Sequence, residues 1–177
     1  MEDGFDGRAA KIAERPAARA MPAGAGASWP LEDRPGFLAR RLHQIHVSLF
    51  SERCAEFRIT PLQYSLLSLL VDLGEADQTT LSNAIALDRT TTTGAVKRLE
   101  ARGLVSRTTS ATDRRAQTCR PTQAGRDLHG AMEGTARDAH AATIAVLSPA
   151  EREVFVRLIK KLTAAHAQRR DSADLKD

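Results

Sequence analysis

Two groups of polar side chains in the middle of this chain are suited to hydrogen bonding with nucleic acid. A run of hydroxyls follows an acid and an arginine in Asp88-Arg89-Thr90-Thr91-Thr92-Thr93, and a second cluster reads Asp113-Arg114-Arg115. Threonine hydroxyls bond to base edges, and threonine methyls contact thymine methyls. Arginine enters a narrow minor groove, where the negative potential is enhanced. Together the two clusters predict contact with double-stranded DNA.

One amphipathic helix is predicted to carry the threonines. Asp88 can cap it, and the pattern continues to about residue 102, where Gly103 ends it. Gly94 costs about 1 kcal/mol of helix stability relative to alanine, which favours a close approach of this backbone to the groove floor. The inward residues are Thr92, Ala95, Val96 and Leu99. The predicted DNA contacts are Thr80, Arg89, Thr90, Thr91, Thr93, Gly94, Lys97, Arg98, Asp113, Arg114 and Arg115.

Short helices are predicted to precede this helix. Thr60 as N-cap and Pro61 at the first helical position begin one that Gly74 ends. Thr79 or Thr80 is predicted to cap the next, which runs to about residue 86.

A hairpin and two further helices are predicted to follow it. Segments 104–108 and 116–120 resemble strands separated by a polar turn. Pro121-Thr122 opens a long helix reaching about residue 147, and the segment 148–151 begins a last one. The hairpin places Arg114 and Arg115 at a tip beside the threonine helix.

The first and last helices are predicted to dimerise. Apolar residues recur at three- and four-residue spacing over about 36–57, and the helices over about 122–168 are also amphipathic. Neither region has an intrachain partner for all of its apolar surface, so the chain is predicted to form a homodimer. Residues 1–34 are predicted to form a flexible N-terminal tail, and 169–177 a polar C-terminal tail.

Composition limits the partners. Residues 88–120 contain eight Lys or Arg against three Asp or Glu, so the positive charge of this +4 chain is concentrated there. Aromatic residues make up only 4%, too few for a surface that stacks single-stranded bases. No apolar run approaches the roughly 20 residues that span a bilayer, which predicts no membrane partner. Two cysteines and no apolar signal segment predict a cytoplasmic protein.

The segment LSNAIALDRTTTTGAVKRLEARGLVSR, followed by DRRAQTCRPTQAG, is similar to the MarR family of bacterial transcription regulators. The family's wing pattern is Asp-x-Arg, five residues, then Leu-Thr-x-x-Gly. It is matched at Asp113, Arg115, Thr122 and Gly125, whereas Pro121 replaces the leucine. The similarity covers about residues 35–168.

The resemblance implies a mainly α fold with a small β-hairpin wing. This would be a winged helix-turn-helix, with the DNA-reading unit over about 60–121 and dimerisation helices on both sides. It also implies an obligate dimer on a pseudo-palindromic operator, usually acting as a repressor, with Arg115 as the minor-groove arginine.

The resemblance further implies a small-molecule effector, commonly a phenolic compound or an aromatic carboxylate, bound between the dimer helices and the DNA-reading unit. Here the polar candidates on the first two core helices are Arg40, His43, His46, Gln63 and Tyr64. The predicted effector is an anionic aromatic compound or its thioester. The alternative is that these residues are surface or interface polar groups.

Other functions remain open at this stage. Cys54 can be a redox switch, although Phe50 and Phe57 flank it as in a packed core. A sequence-indifferent architectural DNA binder is a second alternative. His43 and His46 with His129, His140 or His166 can be combined into a zinc site, but no metal-binding motif occurs. Since no nucleophile elbow or phosphate loop occurs either, we predict no enzyme activity, cofactor or metal.

Overall fold

The computed structural model describes residues 29–109 and 117–174. Within them lie six α-helices, two short 3₁₀ turns and one antiparallel sheet, which confirms the predicted mainly α class with a small hairpin. The helices are α1 Pro35–Arg53, α2 Pro61–Leu73, α3 Gln78–Ala84, α4 Arg89–Ala101, α5 Gln123–Thr143 and α6 Pro149–Asp174. The strands are β1 Ala76–Asp77, β2 Val105–Thr109 and β3 Gln117–Pro121, and the 3₁₀ turns are Leu31–Asp33 and Ala55–Phe57.

Three helix starts lie where the sequence predicts them. Thr60 caps α2 in a capping box, in which its backbone N–H donates to the Gln63 carboxamide. Asp88 caps α4 by accepting from the Thr91 backbone N–H at 2.8 Å. The residues at 148 and 151 form a second capping box at α6.

The predicted cap of α3 is wrong. Asp77 caps this helix, and its carboxylate accepts the backbone N–H of Thr80 at 2.7 Å. A carboxylate three residues before that N–H is placed to receive it, so Thr79 and Thr80 lie inside the first turn instead of capping it.

The boundaries of α5 also differ from the prediction. Thr122 is its N-cap, and Pro121 instead ends β3. The helix ends at Thr143, four residues early. In the turn that follows, the carbonyls of residues 145 and 147 accept hydrogen bonds from the Arg152 guanidinium. Helix α6 continues to Asp174, through most of the predicted polar tail.

The sheet has the order β1-β3-β2, with both pairs antiparallel. In the predicted hairpin Val105 pairs with Pro121 and Thr109 with Gln117. Strand β1 was not predicted, because two residues are too few to show a strand pattern. It fixes the hairpin to the start of α3, since Ala76 pairs with Cys119.

The core lies where α2, α4 and α5 meet the sheet. The predicted inward face of α4 is confirmed, because Thr92, Ala95, Val96 and Leu99 are all buried. Ala95, Val96 and Leu99 belong to one cluster with Met132 of α5 and with three leucines of α2, Leu66, Leu67 and Leu70. Helix α4 is therefore held from behind by a continuous apolar core.

Two residues of the wing pattern fix α5 against the turn before β2. The Thr122 hydroxyl donates to the Gly103 carbonyl at 2.7 Å and accepts the Gly125 N–H at 3.1 Å. A Cβ on Gly125 would lie 2.1 Å from the Leu104 carbonyl oxygen. The glycine is therefore required for this close contact.

Helix α6 leaves apolar side chains uncovered within the protomer. They are Val154, Val156, Leu158, Ile159 and Leu162, each at least 41% exposed. On α1, Leu38 and Ile45 are about half exposed. Within the described ranges no helix combines the length and apolar character needed to cross a bilayer.

Candidate nucleic-acid interface and effector groove

Helix α4 presents most of its predicted DNA contacts to solvent. Thr90, Thr91, Lys97 and Arg98 are exposed, and Thr93 is half-buried. Positions 90, 93, 94, 97 and 98 follow one stripe of the helix by their three- and four-residue spacing. Of the remaining predicted contacts, Thr80 and Arg89 are exposed at α3 and at the start of α4.

Three of the threonine hydroxyls of α4 already donate hydrogen bonds within the protomer. Thr91 donates to the Asp88 carboxylate at 2.7 Å, and Thr92 donates to the Asp88 carbonyl at 3.0 Å. Thr93 donates to the Gln78 side-chain carbonyl at 3.0 Å. The hydrogen bond from the Thr91 hydroxyl, followed by the one from the Thr91 backbone N–H, lowers the pKa of the Asp88 carboxyl.

Helix α3 supports α4 through two contacts that sequence reasoning missed. The Gln78 side-chain carbonyl accepts a hydrogen bond from the Thr93 hydroxyl. The Thr79 hydroxyl accepts one from the Arg89 guanidinium at 3.1 Å. The only sequence signal was the polar character of 78 and 79, which does not reveal a partner ten or more residues away.

Gly94 has open space where a side chain would be. A Cβ there would lie 3.8 Å from the nearest atom, an Arg98 guanidinium nitrogen, which is ordinary contact. Packing within the described chain therefore does not require glycine at this position. The cost of a glycine in the middle of this helix is therefore not offset by packing within the described protomer.

The C-terminal end of α4 is tied to the corner between α1 and α2. The Arg102 guanidinium donates to the Arg58 carbonyl at 2.6 Å and to the Phe57 carbonyl at 3.0 Å. Arg58 has a left-handed backbone with φ of 52°. Asp88 and Arg102 therefore hold the two ends of the helix.

The predicted wing-tip contacts Asp113, Arg114 and Arg115 lie outside the described residues. The base of the hairpin is described. Arg107 on β2 bonds to Glu100 of α4 and to Gln117 of β3, which links the hairpin to α4. Arg120 of β3 pairs with Glu75 before β1.

A groove of about 410 Å³ lies between α1, α5 and α6. Two of the predicted effector residues, His43 and His46 of α1, line it. Further lining residues are Leu42, His140, Thr143 and Phe155. The groove therefore combines three imidazoles with an apolar wall, which suits an aromatic molecule that carries polar groups.

His46 is the most constrained imidazole of the groove. Its Nδ1 lies 3.0 Å from the Thr143 hydroxyl, and its ring stacks on His140 with centroids 4.5 Å apart. Burial lowers the pKa of His46 below 6.5, and the neighbouring His140 and His43 lower it further. The imidazole is therefore neutral at pH 7 and is available as a hydrogen-bond donor or acceptor.

The structure does not bring the other predicted effector residues into this groove. Arg40 lies on another face of α1, beside Phe37. The Gln63 carboxamide is used in the capping box of α2. Tyr64 stacks on His129, with ring centroids 5.4 Å apart.

Both cysteines are buried in the described core. Cys54 is 1% exposed, and burial followed by the charge of Glu56 raises its pKa. Burial also raises the pKa of Cys119. A raised pKa and lack of access disfavour a reactive thiolate at Cys54. In the described ranges, no three His, Cys, Asp or Glu side chains are gathered as a metal site requires.

Comparison with known proteins gives the family. A family model described as the MarR family matches residues 59–116. The transcriptional repressor NicR of Pseudomonas putida is 32% identical over 142 residues, which cover 76% of this chain and 90% of NicR. The chain belongs to the MarR family. It is therefore a transcription regulator with a winged helix-turn-helix fold.

Two solved structures of MarR-like regulators are similar along nearly their whole length. The first is BpsR of Bordetella bronchiseptica, whose DNA binding is regulated by 6-hydroxynicotinic acid. It is 33% identical, with a TM-score of 0.69, covering 72% of this chain and 97% of BpsR. The second is PcaV of Streptomyces coelicolor in complex with its natural ligand. It is also 33% identical, with a TM-score of 0.71, covering 79% of this chain and 99% of PcaV.

Proposed function

We propose that this MarR-family chain is a repressor that binds a pseudo-palindromic operator as a homodimer and is released by a small anionic aromatic compound or its thioester. The observation that carries the proposal is the exposed polar stripe of α4, supported from behind by the core and from the side by α3. Two such helices in a dimer would enter successive major grooves about 34 Å apart.

The proposed DNA contacts divide into two kinds. Arg89, Lys97 and Arg98 supply positive charge for phosphates or guanine edges, whereas the threonines face bases. Arg115 and its neighbours at the wing tip would add contacts in the adjacent minor groove. Thr80 would contribute from the first turn of α3.

The proposed dimer covers the apolar residues that α1 and α6 leave exposed. Association removes such surface from water at a gain of about 25 cal/mol per Å². The similarities cover 76% of this chain for NicR and 79% for PcaV, which is more than the proposed DNA-reading unit, so they extend into the helices that flank it.

The proposed effector site is the groove between α1, α5 and α6. Its volume of about 410 Å³ lies in the usual range for small-molecule sites, roughly 300 to 1,000 Å³. BpsR responds to 6-hydroxynicotinic acid, a hydroxylated aromatic carboxylic acid, and His43, His46 and His140 offer complementary hydrogen bonds. Because His46 is neutral at pH 7, a bound carboxylate would raise its pKa and draw in a proton.

The DNA-binding part of the proposal is tested by fluorescence anisotropy with duplex from the chain's own promoter region and with random duplex, at physiological salt. Specific binding should exceed non-specific binding by roughly 10³-fold or more. Equal affinities would favour the architectural alternative. Chemical crosslinking or sedimentation of the complex should give two protomers per operator.

The effector part is tested by calorimetry with 6-hydroxynicotinate, other hydroxylated aromatic carboxylates and their thioesters. A compound that binds should also release the operator. The affinity should fall in His46→Ala and be retained in His129→Ala, whose imidazole contacts Ser68 outside the groove. Proton uptake should appear as a dependence of the binding heat on the ionisation enthalpy of the buffer. Equal affinity in His46→Ala would exclude this groove as the site.

A further inference from the structure

We propose that Thr91 and Thr93 recognise the major groove through their methyl groups and through hydroxyl oxygens that accept hydrogen bonds, not through hydroxyl protons. This inference rests on the proposed sequence-specific binding by α4, and it specifies what that helix selects. It predicts A·T pairs beneath these two residues.

The direction of the Thr91 hydrogen bond is fixed by its partner. The Asp88 carboxylate is ionised at neutral pH, so it can only accept, and the hydroxyl 2.7 Å away must donate. The same carboxylate also accepts the Thr91 backbone N–H. Breaking the hydroxyl bond would weaken the cap on which the first turn of α4 depends.

The Thr93 hydroxyl is also a hydrogen-bond donor within the protomer, but to a different partner. It donates to the Gln78 side-chain carbonyl across the gap between α3 and α4. This hydrogen bond links the two helices. If the Thr93 hydroxyl donated to a base instead, α4 would lose this contact with α3. The oxygen of each threonine retains acceptor capacity, and each keeps a methyl group.

Acceptor oxygens and methyl groups match only part of the major-groove code. An A·T pair offers both complements, because adenine N6 donates and thymine carries a methyl. Guanine offers O6 and N7, which are acceptors and would require a donor. Guanine is therefore expected beneath the cationic side chains of Lys97 or Arg98 and not beneath Thr91 or Thr93.

The test begins with selection of duplexes from a random-sequence pool by the wild-type protein. Selection is then repeated with Thr91→Ser, which keeps the hydroxyl and its bond to Asp88, and with Thr91→Val, which keeps a methyl and loses the hydroxyl. Positions whose base preference changes between proteins are those beneath Thr91. Wild-type protein should prefer A·T there.

Uracil in place of thymine removes only the methyl from the DNA. At those positions it should weaken wild-type binding about threefold to fivefold, as expected for one buried methyl group. Thr91→Ser should show no such loss, whereas Thr91→Val should retain it. Thermal unfolding establishes that each variant is folded, and Thr91→Ser alone decides the methyl contact if Thr91→Val does not fold.

Three results would overturn the inference. One is equal binding of wild-type protein to thymine and uracil duplexes. Another is enrichment of G·C pairs at positions that respond to the Thr91 substitutions, since a G·C pair carries no methyl group. Both would leave sequence-specific binding intact. Selection of no sequence at all would overturn the proposed function together with this inference.

Discussion

At the scale of single residues, the structure gives the physical reason why the wing pattern has a glycine at position 125. The pattern identifies the glycine, but only the fold shows that its Cα faces the Leu104 carbonyl oxygen, 2.1 Å from where a Cβ would lie. Thr122 is tied to the same turn through Gly103. The sequence pattern shows that a glycine is required at position 125, but it does not show that the partner is Leu104, some twenty residues earlier in the chain.

Gly125→Ala should therefore destabilise the protein by about 1–3 kcal/mol, because backbone must move to admit the methyl group. Gly130→Ala is the matched control on the same helix, since its Cβ meets nothing within 4 Å. Alanine there should stabilise by about 0.5–1 kcal/mol. Thermal or urea unfolding of both variants measures the difference. Equal stability of the two variants would contradict the close contact at Gly125.

His46 gives a pH dependence whose sign follows from its surroundings. Burial lowers its pKa in the folded protein, and the unfolded chain keeps an ordinary value near 6.5. Below about pH 6.5 the unfolded state therefore binds more protons, so the free energy of unfolding should fall as the solution is acidified. Urea unfolding from pH 8 to pH 5 measures this, and His46→Gln should show a shallower fall. At pH 8, where His46 is neutral in both states, the difference in unfolding free energy between the wild-type protein and His46→Gln gives the effect of packing alone. An identical pH profile would assign the dependence to other groups.

At the scale of elements, hydrogen bonds hold both ends of α4, the proposed DNA-reading helix. The sequence predicts the Asp88 cap because an acid immediately precedes the helix. It does not predict the Arg102 tie, because the carbonyls of Phe57 and Arg58 reach that side chain only through the tertiary fold. The sequence therefore shows a local cap such as Asp88, although it assigns the cap of α3 to the wrong residue, and it does not show contacts between distant elements.

Arg102→Ala should lower the free energy of unfolding by about 1–2 kcal/mol, since two hydrogen bonds from a charged but exposed donor are lost. Operator binding should weaken while the dependence of log K on log salt keeps its slope. Lys97→Ala should do the opposite, leaving stability nearly unchanged and reducing that slope by about 0.9. Anisotropy titrations over a salt series separate the two effects. A lower slope in Arg102→Ala would make Arg102 a phosphate contact.

The difference between local patterns and contacts made by the tertiary fold also explains which groove residues the sequence predicts. Spacing of three residues correctly places His43 and His46 on one face of α1, and both line the groove. His140 was not predicted as an effector residue, because only the packing of α5 on α1 brings it to His46. Tyr64 was predicted there on its chemistry, but its position on α2 directs it to His129 instead.

At the scale of the whole molecule, the protomer has surface that a partner protomer would cover. Leu162 is 61% exposed and Leu158 48% exposed on α6.

Leu158→Glu with Leu162→Glu should convert the protein to monomers, because charges would be buried in the proposed interface. Operator affinity should then fall steeply, since two half-sites are no longer engaged together. Leu73→Glu is the control, because Leu73 is also about half exposed, at 51%, but belongs to α2 and not to the proposed dimer helices. Sedimentation at several concentrations measures the assembly. A doubly substituted protein that remains dimeric would exclude α6 from the interface.

The burial of Cys54 and Cys119 also makes the natural chain suitable for spectroscopy. Thiol-specific labels need an accessible thiolate, and neither cysteine provides one. A cysteine introduced at the exposed position 83 of α3 would then be the label's single target, with both natural thiols left in place. In a dimer the two labels would report the distance between the DNA-reading units directly. Spin-label measurements with and without 6-hydroxynicotinate would therefore show whether that distance changes.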